Sequence, residues 1–276
     1  MERESYTLVG STAAQPTESV LIWDTIRAYF NREGMPVEYA LFSTYNAMCG
    51  ALLRGEIDIA WNAPMAHAQC LLASDGATRT LAMRDTDDDV STVLLAKADS
   101  GITTPNDLRG RRVALGIEVS TELRLVPVHG LRAVGVDLER DCEIVELEPR
   151  PYSNGDRWVD DFMLFDALLA GDADVVPIFE PWRAHLIRKR GFEPSDFVEV
   201  WRSDPFCHCA FTARPDYPVE AGDRFVELLT AMDPTEPRIA EMMKREHMGR
   251  WLAADAAGWT GITEAIAAAD LVGRTF

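Results

Sequence analysis

Positive charge is scarce in this sequence: 27 Lys and Arg stand against 45 Asp and Glu, a formal net charge of −18 over 276 residues. A field of that sign repels polyphosphate and anionic lipid unless a local basic stripe reverses it. The densest basic stretches, Arg109-Gly110-Arg111-Arg112 and Arg188-Lys189-Arg190, are too short to do so and read as solvated loop charge. Nucleic acid is thereby excluded as a partner, and so is an anionic membrane surface. Long apolar runs are missing as well. The Ala-rich stretch from Ile262 to Leu271 is interrupted by Glu264 and Asp270, so membrane insertion is not expected. Met1-Glu2-Arg3-Glu4-Ser5 is charged and leads straight into a strand-like segment, without the apolar core of an export signal. Five cysteines, an odd number with no paired framework, suit a reducing compartment. Both features point to the cytoplasm; a periplasmic or extracellular location would require that a leader had been removed. A Gly-rich phosphate loop, a nucleophile motif and a second Cys/His cluster are absent too, so neither a cofactor nor a metal is expected.

What the chain does have is an internal repeat. Ala51-Leu52-Leu53-Arg54-Gly55-Glu56-Ile57-Asp58-Ile59-Ala60 recurs as Ala167-Leu168-Leu169-Ala170-Gly171-Asp172-Ala173-Asp174-Val175-Val176. In each copy an apolar helix stops at a glycine suited to the left-handed conformation, and an acidic turn leads into a buried strand. The match extends backwards. Tyr6 to Gly10 reads as strand, Thr17 to Asn31 as a helix burying Leu21, Ile22, Ile26 and Phe30, and Val37 to Phe42 as strand. Arg112 to Gly116, Ser120 to Val134 and Cys142 to Leu147 repeat that order.

Strands alternating with helices imply parallel sheets with right-handed crossovers, so the expected class is α/β, with two doubly wound lobes. Ligands of such sheets bind beyond the carboxyl ends of the strands, here in a cleft between the lobes. Asp89 to Ala98 and Cys207 to Ala213 read as two strands that cross between lobes and form the hinge. That assigns residues 1–92 and 208–276 to lobe one and 93–207 to lobe two. The tail supplies helices at Ala221 to Met232, at Glu236 to Met248 and from Trp251 onward.

Thr104-Pro-Asn-Asp-Leu-Arg-Gly-Arg-Arg-Val-Ala-Leu-Gly116, followed by Ser120-Thr121 and Leu131-Arg132-Ala133-Val134-Gly135-Val136-Asp137, resembles the central signature of phosphonate/phosphate-type periplasmic substrate-binding proteins of ABC transporters. Leu52 to Trp61 and the preceding Tyr45 are similar too. The resemblance implies the type II periplasmic-binding-protein fold, a small-molecule ligand and a monomer, with a homodimer left open. In that family a Ser-Thr-Ser run at the start of the second-lobe helix grips phosphonate oxygens with hydroxyls and free N–H groups, as the positive end of a helix readily does. Ser120 and Thr121 match its first two positions. Glu122 replaces the third, and a carboxylate there repels a phosphonate if it faces the site, or caps the helix if it does not. The departure argues for a carboxylate-bearing or mixed-charge ligand.

Further ligand candidates follow from strand ends and from the resemblance. Thr12, in the loop after the first strand, touches ligand or caps the next helix together with Ser11. Tyr45 opens the helix that ends at Gly55. Trp61 and Asn62, at the end of a buried strand, suit a cleft wall that stacks and orients a ligand. Arg84 either forks onto a ligand carboxylate or is neutralised by Asp85 and the acidic run to Asp89, which lacks the glycine turn and terminal Glu of a calcium loop. Glu180, mirroring the Trp61 element in the second repeat, takes a ligand ammonium or caps the helix beginning near Trp182. Asp156 and Arg157 lie near the start of the helix before Gly171. In Cys207-His208-Cys209, strand alternation would put the two thiols on one face and His208 on the other, splitting any metal site and any nucleophile and base pair. Two functions remain open: a binding protein that closes on a small polar or anionic molecule, and a cytoplasmic enzyme on the same scaffold, like chorismate dehydratase. The second would perform lyase, dehydratase or rearrangement chemistry on a small carboxylate, with Glu180, His208 or Cys207 as catalytic groups.

Overall fold

Gly55 and Gly171, the two glycines of the repeat, both adopt the left-handed conformation at φ 69° and 79°, and each ends a helix whose next strand enters the middle of a sheet. The computed structural model describes residues 6–12, 16–151 and 157–272; Asp156 lies outside them. The first part of the chain runs β1 (Thr7–Thr12), α1 (Pro16–Arg32), β2 (Val37–Phe42), α2 (Tyr45–Leu53), β3 (Ile59–Asn62), α3 (Pro64–Ala73) and β4 (Arg79–Arg84). The middle part begins with β5 (Thr92–Lys97), β6 (Arg112–Leu115), α4 (Val126–Ala133), α5 (Leu138–Asp141) and β7 (Glu143–Glu146). It continues with β8 (Arg150–Pro151), β9 (Arg157–Trp158), α6 (Asp161–Ala170), β10 (Val175–Phe179), α7 (Glu180–Lys189) and β11 (Phe197–Arg202). The chain then returns through β12 (Ala210–Ala213), α8 (Val219–Thr230), α9 (Pro237–Arg245), β13 (Trp251–Ala253) and α10 (Thr260–Ala268).

The strands form two main sheets, ordered β2-β1-β3-β12-β4-β13 and β7-β6-β10-β5-β11. Apart from the edge strand β13 the orders are superimposable, with β1, β2 and β3 answering to β6, β7 and β10. Within each repeat these strands run parallel. The strand that has just crossed from the other lobe, β12 or β5, joins antiparallel. Doubly wound lobes with crossing strands are therefore present as the repeat implied. The extended part of the first crossing is confined to β5, and that of the second to β12, because beyond the single bridge of Phe206 to Val90 the chain bonds to loops: Cys207 N–H donates to Gly258 and His208 N–H to Asp87, both at 2.8 Å.

Three further expectations change. The segment from Trp251 begins as an edge strand paired antiparallel with β4, Trp251 opposite Arg84, before α10 starts at Thr260. Leu21 is turned to solvent on α1, and Trp23 joins Ile22, Ile26 and Phe30 in the core instead. Most consequentially, the helix expected from Ser120 starts as a π turn, Thr121–Leu125, in which Leu125 and Val126 donate to carbonyls five residues back. Pro127 has no N–H to offer the Leu123 carbonyl, which accepts from Gly116 N–H at 2.9 Å.

In lobe one Phe30, Phe211, Phe225 and Trp251 pack beneath α1, α8 and α9, and in lobe two apolar clusters fill both faces of the sheet. The C-terminal α10 lies on α3 and also reaches α4 of lobe two. On α3, the fully buried His67 bonds through both ring nitrogens, Nδ1 to Thr212 Oγ1 at 2.7 Å and Nε2 to Thr80 Oγ1 at 3.1 Å. Burial pushes its pKa down to about 3. An unfolded chain takes up this proton near the ordinary 6.5, so acidification through that window favours unfolding, by up to about 1.4 kcal/mol per pH unit from this residue. Urea unfolding of His67→Gln is therefore expected to show a shallower loss of stability below pH 6.5 than the parent; parallel pH profiles would contradict the assignment.

Candidate functional site

Two irregular crossings, residues 85–91 and 203–209, join the lobes. Val90 and Phe206 exchange both backbone hydrogen bonds between them, at 3.0 and 2.8 Å. Side chains from this junction form a continuous run of charge. Arg84, the last residue of β4, forks onto Asp87, Nε to Oδ2 at 2.6 Å and Nη2 to Oδ1 at 2.8 Å, and its Nη1 reaches Glu246 Oε2 at 2.9 Å. His208 Nδ1 lies 3.3 Å from Asp87 Oδ1, and its Nε2 lies 2.6 Å from Glu122 Oε1 on the π turn of lobe two. The hinge imidazole thus bridges a carboxylate of one crossing to a carboxylate of the opposite lobe.

Burial alone would raise the carboxyls and lower the imidazole; the pairing wins in each case. His208 and Arg84 hold Asp87 at about 2, His208 holds Glu122 below the usual carboxylate range, and Cys209, Asp87 and Glu122 raise His208 well above the ordinary histidine value. Nearby, burial pushes the Tyr45 hydroxyl up to about 12 and the Asp161 carboxyl, at the start of α6, up to about 7.

Beside this cluster opens a cavity of about 800 Å³. Lobe one contributes Trp23, Trp61, Trp251, Tyr45 and Thr12 to its wall, and α7 of lobe two contributes Trp182. Arg84, Lys244 and Arg245 mix with Glu18, Glu241 and Glu246 around it. Arg84 lies over the Trp61 ring, 5.3 Å from its centroid. Trp182 is 43 % exposed and faces this space from the far lobe, whereas Trp251 is buried and its indole N–H has no hydrogen-bond partner.

The structure brings Thr12, Tyr45, Trp61 and Arg84 together at the cavity, although Thr12 ends β1 and does not lie in a loop. Arg84 is neutralised by Asp87 and Glu246, while Asp85 accepts instead from Gly249 N–H. Asn62 is not at the cavity. It alternates with Trp61 along β3, is fully buried and donates to Thr212 Oγ1 at 2.9 Å. Ser120 and Thr121 are 2 % and 3 % exposed and do not line the cavity. Glu122 turns to His208 and does not cap a helix. Glu180 is the first residue of α7, 3.8 Å from Arg202 and off the cavity, because β10 runs on to Phe179. Arg157 pairs with Glu148 on the surface. Cys207 is buried against Asp88 and Gly258. His208 and Cys209 are not split by alternation, since neither lies in a strand: Nδ1 and Sγ approach to 3.1 Å. The acidic run offered as Arg84's neutraliser does supply its partner, Asp87 in place of Asp85, whereas sequence reasoning missed Glu246, Trp182 and Trp251 as neighbours of the site. The repeat held a signal for Trp182, which belongs to the element mirroring Trp61.

Twin lobes of one strand order, two crossings and an aromatic, charged cavity between them define a two-lobed solute-binding protein. The description "ABC transporter, phosphonate, periplasmic substrate-binding protein" belongs to a family profile that matches residues 10–264; the chain belongs to this family. Solved structures of similar fold include PhnD1 of Prochlorococcus marinus in complex with methylphosphonate, at 16% identity and a TM-score of 0.67, with 97% of this chain and 99% of that one covered. A Xanthomonas citri protein bound to ATP is similar at 15% identity and a TM-score of 0.73, covering 98% and 100%. The periplasmic aliphatic sulphonate-binding protein SsuA of Escherichia coli is similar at 16% identity and a TM-score of 0.61, covering 98% and 94%. The chain binds a small polar or anionic organic molecule in the interlobe cleft. The lyase and rearrangement alternative is set aside, because the family is one of binding proteins. The cytoplasmic expectation likewise gains nothing from a family described as periplasmic; among the described residues no helix is long and apolar enough to cross a membrane.

Breaking a buried ion pair from one side strands the other charge. Asp87→Asn, which keeps shape and removes charge, is expected to lower the unfolding free energy by about 3 kcal/mol in urea titrations. A loss below about 0.5 kcal/mol would contradict the pairing.

Proposed function

We propose that this protein binds a small organic anion with an apolar or aromatic body, of mixed charge, in preference to a bare phosphonate or sulfonate. The observation that carries the reading is the wall of four tryptophans, Trp182 of lobe two opposite Trp23, Trp61 and Trp251 of lobe one. Rings on both sides of an interlobe space suit a flat or apolar body, each contact contributing about 0.5–1.5 kcal/mol beyond the area it buries. Cations and carboxylates side by side in the lining support mixed charge.

Bare phosphonate is disfavoured on two counts. Ser120 and Thr121 are buried residues outside the cavity lining, and the third position of that run is the carboxylate of Glu122. Closure by hinge motion at residues 85–91 and 203–209 would bring Trp182 down on the bound solute. The division into lobes of residues 1–92 with 208–276 and of 93–207 belongs to this proposal, as does a monomeric state.

Isothermal titration against methylphosphonate, an alkanesulfonate and an aromatic amino acid tests the preference. The aromatic zwitterion is expected to bind at least tenfold more tightly than the other two, and Trp182→Ala to weaken it about tenfold, the scale of one stacked ring with its buried area. Tightest binding of methylphosphonate, or affinity unchanged in Trp182→Ala, would overturn it.

A further inference from the structure

Asp87, His208 and Cys209 place one carboxylate oxygen, one ring nitrogen and one sulfur within 4.8 Å of one another, the group of metal-ligating side chains that the described residues bring together. We propose that this cluster is a binding site for a divalent cation of zinc's class at the edge of the solute cavity. The spacing carries the first part of the argument. His208 Nδ1 stands 3.3 Å from Asp87 Oδ1 and 3.1 Å from Cys209 Sγ. Donors around one tetrahedral zinc, at about 2.0 Å for nitrogen or oxygen and about 2.3 Å for sulfur, lie about 3.3–3.5 Å from each other. The remaining pair, the Asp87 oxygen and the Cys209 sulfur, lies within 4.8 Å and has up to about 1.3 Å to close on a shared ion; a single Nδ1–H cannot point at both acceptors, whereas one cation drawn between them engages all three.

The surroundings of the three donors carry the second part. The other ring nitrogen, Nε2, faces the Glu122 carboxylate at 2.6 Å. A carboxylate on the far nitrogen fixes the tautomer and orientation of a metal-bound imidazole, and gives Glu122 a purpose at a position where the family resemblance expects a hydroxyl. Arg84 does not close the site. Its Nε and backbone N–H occupy Asp87 Oδ2, and its Nη2 takes one lone pair of Oδ1, which leaves the second lone pair of Oδ1, the one facing His208, for the ion. Oxygen, nitrogen and thiolate together suit a borderline cation over magnesium or calcium, which take oxygen alone. On binding, the ion displaces the Nδ1 proton and the thiol proton of Cys209, which pass to solvent. Three protein ligands leave a fourth position, and Cys209 borders the cavity, so an anionic oxygen of the solute fits there. Only this last step rests on the solute-binding reading.

Chelator-stripped protein titrated with Co²⁺ tests the site through its absorption spectrum. One equivalent is expected to give tetrahedral visible bands and a thiolate-to-cobalt charge-transfer band, both bleached by one equivalent of Zn²⁺. The charge-transfer band is expected to vanish in Cys209→Ser and to persist in Cys207→Ser, with native circular dichroism in both. Should Cys209→Ser fail to fold, His208→Gln provides the second loss. No Co²⁺ uptake by the parent, a charge-transfer band unchanged in Cys209→Ser, or its loss in Cys207→Ser alone would each overturn the proposal. Solute titrations on stripped and cobalt-loaded protein keep the readings apart: binding by a protein that takes up no cobalt sinks the metal site and spares the binding function.

Discussion

An imidazole held between two carboxylates is the constraint on which the cleft depends. His208 belongs to one crossing, Asp87 to the other and Glu122 to the far lobe, and Arg84 extends the run to Glu246 beyond α9. Charges so enclosed are costly unless each has its partner. The five side chains therefore fix one another, and through them the end of β4, both crossings, the π turn and the end of α9. Apolar packing shapes each lobe and also bridges them, where Leu125 of lobe two joins Met65, Trp259 and Ile262 of lobe one; the charged run fixes how they meet beside the cavity.

The same constraint explains how a member of a phosphonate-binding family departs from the hydroxyl-lined anion grip that the resemblance implies. Placing Glu122 where a third hydroxyl was expected gives His208 its second partner. Glu122 stands on the π turn that follows the buried Ser120, and the cavity beside it is walled by aromatic rings. Fold likeness at 15–16% identity speaks for architecture and leaves the ligand to the side chains.

Much of the architecture was legible because it is written twice. The glycine that stops α2 and the one that stops α6 announce the same strand-entering turn, and parity along β3 requires that Trp61 and Asn62 face opposite ways. Parity does not say which of the two faces the cavity, and Asn62 is committed to Thr212, 150 residues away, through a contact no local pattern reveals. The Cys207-His208-Cys209 reading failed for a related reason. A run of strand-like residues was assumed to have ladder partners, and its N–H groups instead bond to Gly258 and to Asp87. Trp251 misled in the opposite direction, since its strand exists only by pairing with β4. The π turn needed two facts at once, the missing N–H of Pro127 and the distant claim of Gly116 on Leu123.

The central claim, that Glu122 and His208 tie the lobes as one electrostatic unit, is tested most directly by a double-mutant cycle on unfolding free energy with Glu122→Gln, His208→Gln and the pair. Coupling of at least about 1 kcal/mol is predicted, the double variant losing less than the two single losses combined. Losses that add within about 0.5 kcal/mol would contradict it.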